Sequence, residues 1–364
     1  MPRDSVFNHA YAVILAGGSG TRFWPASRRR RPKQLLEGVF GSGTLLERAV
    51  ERIKPLIPAE RTYVFTNTLL KRAIAKLLPR IPARQIVAEP AARNTAPSLG
   101  LAAHEILRRD PQGIMVVLPS DHLIRKVGVF RSVIRAAIQA GSVEGRSILI
   151  GMKPWAAHSG FGYIRLGSEI PAVAGHHIYG ARTFIEKPKP ETAAQYIASG
   201  EYLWNGGMFV WRASTLVANL ARFKPKIARA LDRIAAAGGA GSAATLARIY
   251  PKIEKISVDY AVAEHAHEVY VIPADMGWSD VGSWSEVYTL RRKDAHGNAR
   301  PRRTLCYGSL GNLIIANKFV AAVDVQDLVI IETADAILVA DRNRAQDVGK
   351  AVAQMEKKGW KELL

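Results

Sequence analysis

The chain has little cysteine: Cys306 is its only thiol in 364 residues. One thiol excludes an intrachain disulfide and any zinc site built from several cysteines. The chain also lacks an apolar run near the ~18 residues that a membrane span needs, and residues 1–6 lack the basic-then-apolar order of a secretory signal. We therefore expect a reduced, cytoplasmic protein with no membrane partner.

Acidic residues are scarce relative to basic ones, with 31 Asp and Glu against 51 Lys and Arg and a formal net charge of +20. Such an excess predicts anionic partners. The densest basic run, Arg28–Arg31 with Lys33, has no helix-turn-helix, zinc-finger or RNA-recognition signature around it. We therefore interpret it as a solvated face or a rim that attracts phosphate, and we do not expect nucleic acid as the primary partner.

Length and composition favour a soluble globular chain of two domains. Hydrophobic residues make up 48% and charged residues 23%. Short apolar runs alternate with helical patterns, which predicts an α/β fold with a Rossmann-like, mixed and mostly parallel sheet flanked by helices. We expect strands at 10–16, 62–66, 85–88, 114–118 and 147–150, and helices at 44–53, 96–109 and 129–140.

The pattern changes after residue 300 to short strands with very short turns, at 312–316, 319–325, 328–331 and 336–340, followed by a closing helix at 344–358. Small strands at even spacing favour a β-solenoid-like module. A polar stretch at 293–303 marks the boundary. We therefore predict a catalytic domain at 1–297 and a small β-rich domain at 298–364.

Three glycines, Gly17, Gly18 and Gly20, directly follow the first predicted strand. Closely spaced glycines let backbone N–H groups approach a phosphate, and Arg22 and Lys33 supply full positive charges. The spacing fits neither the dinucleotide fingerprint nor the Walker loop. The alternative is that these glycines only form a tight turn.

Two aspartates, Asp121 and Asp280, occupy positions suited to ligand binding. Asp121 follows the apolar run 114–118, and Asp280 lies in a loop rich in glycine and tryptophan. Two carboxylates that converge are a usual way to hold Mg²⁺ beside substrate phosphates. Taken alone, each aspartate is better explained as a turn or capping residue, and only together with the glycine loop is the metal role favoured. His122 is a poor ligand candidate, because Mg²⁺ prefers oxygen.

The glycine loop, with Arg22, Pro25 and the Pro32-Lys33-Gln34 triplet, resembles the signature loop of sugar-phosphate nucleotidyltransferases. It is most similar to the mannose-1-phosphate guanylyltransferase branch. Further blocks resemble that family in the same order, so the likeness covers essentially the whole chain. These blocks are 89–97, 118–122, 160–163, 184–188, 204–209 and 277–284.

The resemblance implies a glycosyltransferase-A-like catalytic fold, a C-terminal module like a left-handed β-helix, and transfer of GMP from GTP to α-D-mannose 1-phosphate with release of pyrophosphate. The implied cofactor is Mg²⁺ or another divalent cation. The implied catalytic residues are Arg22, Lys33, Asp121 and Asp280, of which Asp121 and Asp280 hold the metal. The implied nucleotide-binding residues are Leu15, Ala16, Gly17, Gly18, Ser19, Gly20, Thr21, Arg22, Lys33, Glu89, Asn94, Thr95 and Asp121. The implied sugar-phosphate-binding residues are Gly162, Glu186, Lys187 and Asn205.

Alternatives remain at several of these positions. Without the resemblance, Glu186 and Lys187 form an ordinary surface pair before a proline, and Asn205 forms an Asn-Gly turn. Phe161 stands where the family more often has tyrosine. The alternative functions are nucleotidyl transfer with glucose 1-phosphate or another nucleoside triphosphate, and a non-catalytic homologue that binds nucleic acid or regulates. The sequence leaves a homodimer possible. Longer family members carry a phosphomannose isomerase domain, an activity not expected in a chain that ends at Leu364.

Overall fold

The computed structural model describes residues 5–18 and 20–364. Residues 1–4 and Ser19, with its predicted nucleotide contact, lie outside the described residues. The described residues form two compact units. Unit 1 contains the residues up to Gly17, Ala49–Ser120 and Ile124–Trp278, and unit 2 contains Gly18–Arg48, Asp121–Leu123 and Ser279–Leu364.

A nine-stranded sheet forms the centre of unit 1. The strands from the first part of the chain match the predicted apolar runs to within two residues. The strands up to residue 279 are β1 Ala10–Leu15, β2 Thr62–Asn67, β3 Ile86–Glu89, β4 Ile114–Pro119, β5 Leu123–Ile124, β6 Ser147–Met152, β7 Gly162–Val173, β8 His176–Glu186, β9 Tyr202–Arg212, β10 Val269–Ala274 and β11 Trp278–Ser279. The order in the nine-stranded sheet, to which β5 and β11 do not belong, is β3-β2-β1-β4-β9-β6-β10-β8-β7.

Seven of the nine strands point the same way, and β8 and β9 run against them. The prediction of a mixed, mostly parallel sheet is therefore confirmed. Since β1, β3 and β4 are parallel, their carboxyl ends share one edge of the sheet. Gly17 lies two residues beyond β1, Glu89 ends β3, and Asp121 follows β4 by two residues in the chain.

Helices flank this sheet as predicted. The most buried of them is the helix Thr95–Leu107. Its Gly100 lies where it packs against the helices Ala213–Phe223 and Pro225–Ala236, and a Cβ there would lie 2.4 Å from Leu231 Cδ1 and 2.8 Å from Leu220 Cδ1. The helix bounds of the chain are α1 Leu45–Ile53, α2 Lys71–Leu77, α3 Thr95–Leu107, α4 Val127–Gly141, α5 Pro190–Ser199, α6 Ala213–Phe223, α7 Pro225–Ala236, α8 Ala243–Ile249, α9 Trp284–Leu290 and α10 Val348–Lys357.

Unit 2 contains a small parallel coil, in agreement with the predicted β-solenoid-like module. Its strands are β12 Thr304–Tyr307, β13 Leu313–Ile315, β14 Val320–Val323, β15 Leu328–Glu332 and β16 Ile337–Asp341. Thr304 pairs with Val320 and Leu313 with Val329, so one coil takes 16 residues. Buried Asn312 links successive coils, because its Oδ1 accepts from Leu328 N at 2.8 Å and its Nδ2 donates to Asn298 Oδ1 at 2.9 Å.

The closing helix begins later than predicted. Residues Arg342–Asp347 form 3₁₀ turns that are interrupted by the non-helical φ of −112° at Arg344, and α10 begins only at Val348. The compact units also group Gly18–Arg48 with C-terminal residues, so they do not follow chain order. The domain boundary between 297 and 298 stays a prediction. Within the described ranges, no helix is both long enough and apolar enough to cross a membrane.

Candidate active site

Lys33 lies at the centre of a charged cluster in unit 2. Its side chain is buried, and Nζ donates to Asp121 Oδ2 at 3.0 Å and to the backbone carbonyl of Asp280. The structure thus brings together three of the four residues predicted to be catalytic. A buried ammonium group needs such oxygen partners, since an unpaired buried charge is very costly.

The glycine loop packs directly on Lys33. Gly20 has φ of +60°, and a Cβ at this position would lie 2.6 Å from Lys33 Cβ and 2.7 Å from Lys33 N. Gly18 differs, because a Cβ there would meet nothing within 4 Å. The loop's carbonyls are held from within unit 2: Gln34 Nε2 donates to Gly18 O at 3.2 Å and Ser27 Oγ donates to Gly20 O at 2.7 Å. Gly20 is therefore required by packing, whereas Gly18 is not.

The C-terminal helix α10 supports the residues that follow this loop. A Cβ at Gly349 of α10 would lie 3.5 Å from Arg22 Cγ and 3.7 Å from Thr21 Oγ1. Trp24 Nε1 donates to the carbonyl of Leu363 at 2.8 Å. Thr21 and Arg22 themselves are exposed at the surface of unit 2. The predicted phosphate loop and the last residues of the chain therefore belong to one packed structure.

Arg22 and Asp280 meet at Gly282. A Cβ built on Gly282 would lie 3.2 Å from Asp280 Oδ2, 3.3 Å from Glu286 Oε1 and 3.4 Å from Arg22 Nη1. All four predicted catalytic residues are thus part of one cluster. The sequence did not predict Glu286; its only signal is a glutamate in the first turn of the helix that follows the Asp280 block, which is usual at helix starts.

Glu286 fixes the loop that carries Asp280. Its Oε2 accepts from Gly282 N at 2.6 Å and from Ser279 Oγ at 3.2 Å, and Ser279 Oγ accepts from Val281 N at 3.0 Å. Val281 is buried with φ of +44°, a conformation that a β-branched residue rarely adopts. The backbone between Asp280 and Gly282 is therefore strained and held by these hydrogen bonds.

The two aspartates differ in their electrostatics. Burial favours the neutral form of Asp121, but the charge of Lys33 and the nearby His122 outweigh it and hold its pKa below the usual range. Burial and the neighbouring Glu286 raise the pKa of Asp280, against the opposing effect of His122, Lys33 and Arg22. The surroundings therefore lower the pKa of Asp121 and raise that of Asp280.

A divalent cation fits this cluster only with further oxygen ligands. Among the residues that the structure describes, no group of three or more His, Cys, Asp or Glu side chains is arranged to hold a metal. Asp121 and Asp280 offer hard oxygen donors, and Mg²⁺ is commonly bound by one or two carboxylates plus substrate phosphates and waters. The donor set therefore suits Mg²⁺ that arrives with a phosphate ligand.

The predicted nucleoside-binding residues lie in unit 1. Glu89 Oε2 lies 4.0 Å from the position of a Cβ on Gly17, and its Oε1 accepts from the Tyr250 hydroxyl. Burial raises the pKa of Glu89 to about 7, although the hydrogen bond from Tyr250 opposes the shift. Leu15 and Ala16 are fixed by the sheet: Leu15 O accepts from Ser120 N at 3.1 Å, and Ala16 N donates to Phe65 O at 2.7 Å.

The side chains of Asn94 and Thr95 already have structural partners. Asn94, with φ of +65°, caps α3 by accepting from Thr95 N at 2.9 Å, and Thr95 Oγ1 accepts from Val258 N at 2.8 Å. The adjacent Arg93 has a buried Nε with no hydrogen-bond partner among the described residues. Arg93 is thus the member of this block with an unused buried donor.

The predicted sugar-binding residues converge in unit 1. Gly162 pairs with Glu186 across β7 and β8, and a Cβ on Gly162 would lie 2.4 Å from Glu186 Oε2 and 3.2 Å from Asn205 Cβ. Lys187 Nζ lies 3.1 Å from Glu186 Oε1, and its side chain is 59% exposed. Gly162 therefore leaves a space beside Glu186 and Asn205 that any larger side chain would fill.

Two further carboxylates join this group, and the sequence did not predict them. Asp259 Oδ1 accepts from Asn205 Nδ2 at 2.9 Å, and Glu264 Oε1 accepts from Glu186 N at 3.3 Å. Burial raises the pKa of Glu186 and of Asp259, and the charge of Asp259 adds to the effect on Glu186. No motif marks Asp259 and Glu264, which lie in and after the π-helical turn Asp259–Ala263.

Aromatic rings line the neighbouring segment of unit 1. Phe161 lies 4.8 Å from Trp204 and 5.5 Å from Trp278 between ring centroids, and Trp155 lies 5.7 Å from Trp204. At this position the family more often has tyrosine, and Phe161 supplies the aromatic ring but no hydroxyl group. Acidic oxygens beside aromatic faces are suited to a polyol, because carboxylates accept hydroxyl hydrogen bonds and rings cover C–H surface.

Comparison with known proteins matches one family model to the larger N-terminal part of the sequence and another to the C-terminal part. The model of the nucleotidyl transferase family matches residues 11–297, and that of the mannose phosphate isomerase/GMP-like β-helix domain matches residues 309–355. A mannose-1-phosphate guanylyltransferase from Escherichia coli is 38% identical over 344 residues, which are 93% of this chain and 72% of that protein. The xanthan biosynthesis protein XanB of Xanthomonas campestris (strain B100) is 36% identical over 356 residues, 96% of this chain and 74% of its own length.

A solved structure is similar over nearly the whole chain. This protein from Thermus thermophilus, described as a mannose-1-phosphate geranyltransferase, has 33% identity and a TM-score of 0.85, with coverage of 96% of this chain and 99% of its own. The curated relatives are longer, and the chain spans about three quarters of their length. The chain therefore belongs to the nucleotidyl transferase family, as an enzyme of the branch that contains the mannose-1-phosphate guanylyltransferases.

Proposed function

We propose that the chain transfers GMP from GTP to α-D-mannose 1-phosphate and forms GDP-mannose and pyrophosphate. The observation that carries this proposal is the Lys33 cluster, in which a buried ammonium group, Arg22 and two aspartates lie together and Gly20 of the glycine loop packs on Lys33. Such a cluster suits a triphosphate, and the names of the relatives supply the nucleotide and the sugar.

The proposed step is an in-line displacement. A phosphate oxygen of mannose 1-phosphate forms a bond to the α-phosphorus of GTP, and the bond from that phosphorus to the bridging oxygen breaks as pyrophosphate leaves. Arg22 and Lys33 neutralise the developing negative charge. The backbone amides around Gly18 and Gly20 bind phosphate oxygens. The exchange conserves protons, so no general acid or base and no covalent enzyme intermediate is required.

Asp121 and Asp280 would hold Mg²⁺, which when bound neutralises phosphate charge and polarises the α-phosphate. Lys33 orients Asp121 through its 3.0 Å contact and fixes the Asp280 backbone through its carbonyl. Glu286 keeps the Asp280 loop in its strained conformation. These contacts position the reactants at little entropic cost during reaction.

In this proposal the hexose phosphate and the nucleoside bind to residues of unit 1. Glu186 accepts hydrogen bonds from the hexose hydroxyls, Asn205 binds them through its amide group, and exposed Lys187 contacts the sugar phosphate. The nucleoside lies beside Glu89, Asn94 and Thr95. Since Asn94 and Thr95 already hold the backbone, we assign part of the direct hydrogen bonding to Arg93.

A pyrophosphate-release assay tests the assignment. The four common ribonucleoside triphosphates and dTTP are each paired with mannose 1-phosphate and glucose 1-phosphate, with and without Mg²⁺. We expect the highest kcat/KM for GTP with mannose 1-phosphate, and turnover only with a divalent cation. An equal or higher value with UTP or dTTP would reject the guanylyl assignment, and a preference for glucose 1-phosphate would reject the mannosyl one.

Asp280→Asn tests the proposed metal site. We expect kcat to fall by ~10²-fold or more, since a ligand to the charge-neutralising ion is lost. The fold should persist, because the substitution removes a charge that burial and Glu286 already disfavour. The matched control is Asp275→Asn, whose carboxylate is 80% exposed and contacts Lys126. Near-normal turnover of Asp280→Asn at saturating Mg²⁺ would contradict the metal role.

A further inference from the structure

Four cationic side chains line a separate cavity of about 490 Å³ in unit 1. They are Lys226 and Arg233 on α7, and Arg248 and Lys252 on and after α8. None of them belongs to the sequence blocks that carry the family resemblance. Residues seven apart on a helix, such as Lys226 and Arg233, lie on the same face two turns apart.

These four charges have no acidic partner in the part of the chain that the structure describes. Their side chains make no ion pair or hydrogen bond there. The cavity is also lined by Glu254, but this carboxylate lies 3.3 Å from Lys224 Nζ and its charge is already compensated. Lys226 is also the second residue of α7, where the helix dipole adds positive potential. The cavity is therefore strongly electropositive.

The floor of the cavity is apolar. Ile227, Ile249 and Ile253 contribute to its lining and are only 1%, 8% and 4% exposed. A purely inorganic anion would leave this surface unused, whereas an organic anion covers it. The volume lies within the range of small-molecule sites.

We propose that this cavity binds a small organic polyphosphate of nucleotide size. Its phosphate groups contact Lys226, Arg233, Arg248 and Lys252, and its ring covers the isoleucine floor. Multivalent phosphate matches several convergent guanidinium and ammonium groups. The site is distinct from the residues of the proposed transfer reaction, so it does not depend on that function.

Lysine acetylation of the whole protein tests the proposal, with ADP as the probe. Reaction rates at Lys226 and Lys252 are measured by peptide mass spectrometry with ADP and with sodium chloride of equal ionic strength. Lys357, an exposed lysine on α10, is the internal reference. We expect ADP to slow acetylation of Lys226 and Lys252 by about threefold or more and to leave Lys357 unchanged.

Two matched variants locate the effect. Arg248→Ser removes a cation of the cavity, while Arg229→Ser removes an exposed cation of α7 that does not line it. We expect the ADP concentration for half-protection to rise about tenfold in Arg248→Ser, the usual effect of one charged hydrogen bond, and to stay within about twofold in Arg229→Ser. Circular dichroism checks that both variants fold.

Three results would overturn the proposal. The first is an unchanged acetylation rate at Lys226 and Lys252 up to saturating ADP. The second is equal slowing at Lys357, which indicates general screening of the cationic surface. The third is protection by a single-stranded oligonucleotide with none by ADP, which indicates a nucleic-acid surface.

Discussion

Lys33 carries its charge inside unit 2, and each neighbour of its ammonium group serves two purposes. The Asp121 carboxylate and the Asp280 carbonyl compensate the buried charge. The same contacts fix the two aspartates that are proposed to bind the metal. Lys33 is therefore a structural residue of the cluster as well as a candidate phosphate ligand, and replacing it affects both roles.

Glu89 provides a test at the residue scale that does not depend on catalysis. Its pKa is about 7 in the folded protein against an ordinary 4.5, so between these values the folded state holds a proton that the unfolded state has released. The free energy of unfolding should then fall as pH rises from about 4.5 through 7, by on the order of 3 kcal/mol from this group.

The comparison is between the wild type and Glu89→Gln, which keeps an acceptor for Tyr250 but cannot ionise. Denaturant unfolding at pH 5, 6, 7 and 8 gives the difference in stability. We expect the variant to gain on the wild type as pH rises and to be clearly the more stable at pH 8. Parallel pH profiles would contradict a raised pKa at Glu89.

The individual residues of the candidate site were predictable to different degrees. Arg22, Lys33, Asp121 and Asp280 lie in distinct motifs, and the structure brings these four together; their roles remain predictions. Glu286, Asp259 and Glu264 were not predicted, because a carboxylate in a loop or at a helix start has no distinctive spacing. Their importance arises from contacts between distant segments, which periodicity does not report.

At the scale of elements, two glycines of the glycine loop have different roles: Gly20 is needed for packing, and Gly18 is proposed to contact the ligand. Gly20→Ala puts a methyl group at φ of +60° and against the Lys33 backbone. We expect Gly20→Ala to lower stability by about 1–3 kcal/mol and to displace Lys33. Gly18→Ala, where a Cβ meets nothing, should leave the melting temperature within a few degrees.

Activity measurements on the same two variants complete this test. Gly20→Ala should lower kcat because Lys33 moves, while Gly18→Ala should raise the KM for the nucleotide because its methyl group hinders approach of a phosphate to the backbone. Melting curves and initial rates are sufficient to distinguish them. Equal melting temperatures for the two variants would show that Gly20 is not needed for packing.

The large-sheet strands of the first 150 residues were predictable because parallel strands covered by helices are continuous apolar runs, whereas the short α2 and β5 were not predicted. β7, β8 and β9 were not assigned in full. The β7 pairing with β8 shifts register three times along its length, and each shift interrupts the alternation of apolar and polar residues that marks such strands. The 16-residue coils of unit 2 were recognisable from even strand spacing.

At the scale of the whole molecule, the formal net charge is +20, and both substrates of the proposed reaction are anions. We expect kcat/KM to fall roughly three- to tenfold when sodium chloride rises from about 50 to about 500 mM, because salt screens long-range attraction. The turnover number at saturating substrate should change little. Melting temperatures over the same range serve as the control for unfolding, and a flat kcat/KM would show that the charge does not steer the substrates.

The contact between α10 and the segment Thr21–Trp24 bears on how this enzyme can be shortened. A fragment cut after residue 297 retains every motif proposed to act in the reaction, yet it loses Gly349 and Leu363, against which Arg22 and Trp24 are held. Expressed alone, such a fragment should keep much of the large sheet in its circular dichroism spectrum but show little turnover. Residues 298–364 thus support the loop that we propose to bind the triphosphate, and trimming them as an accessory would remove that support.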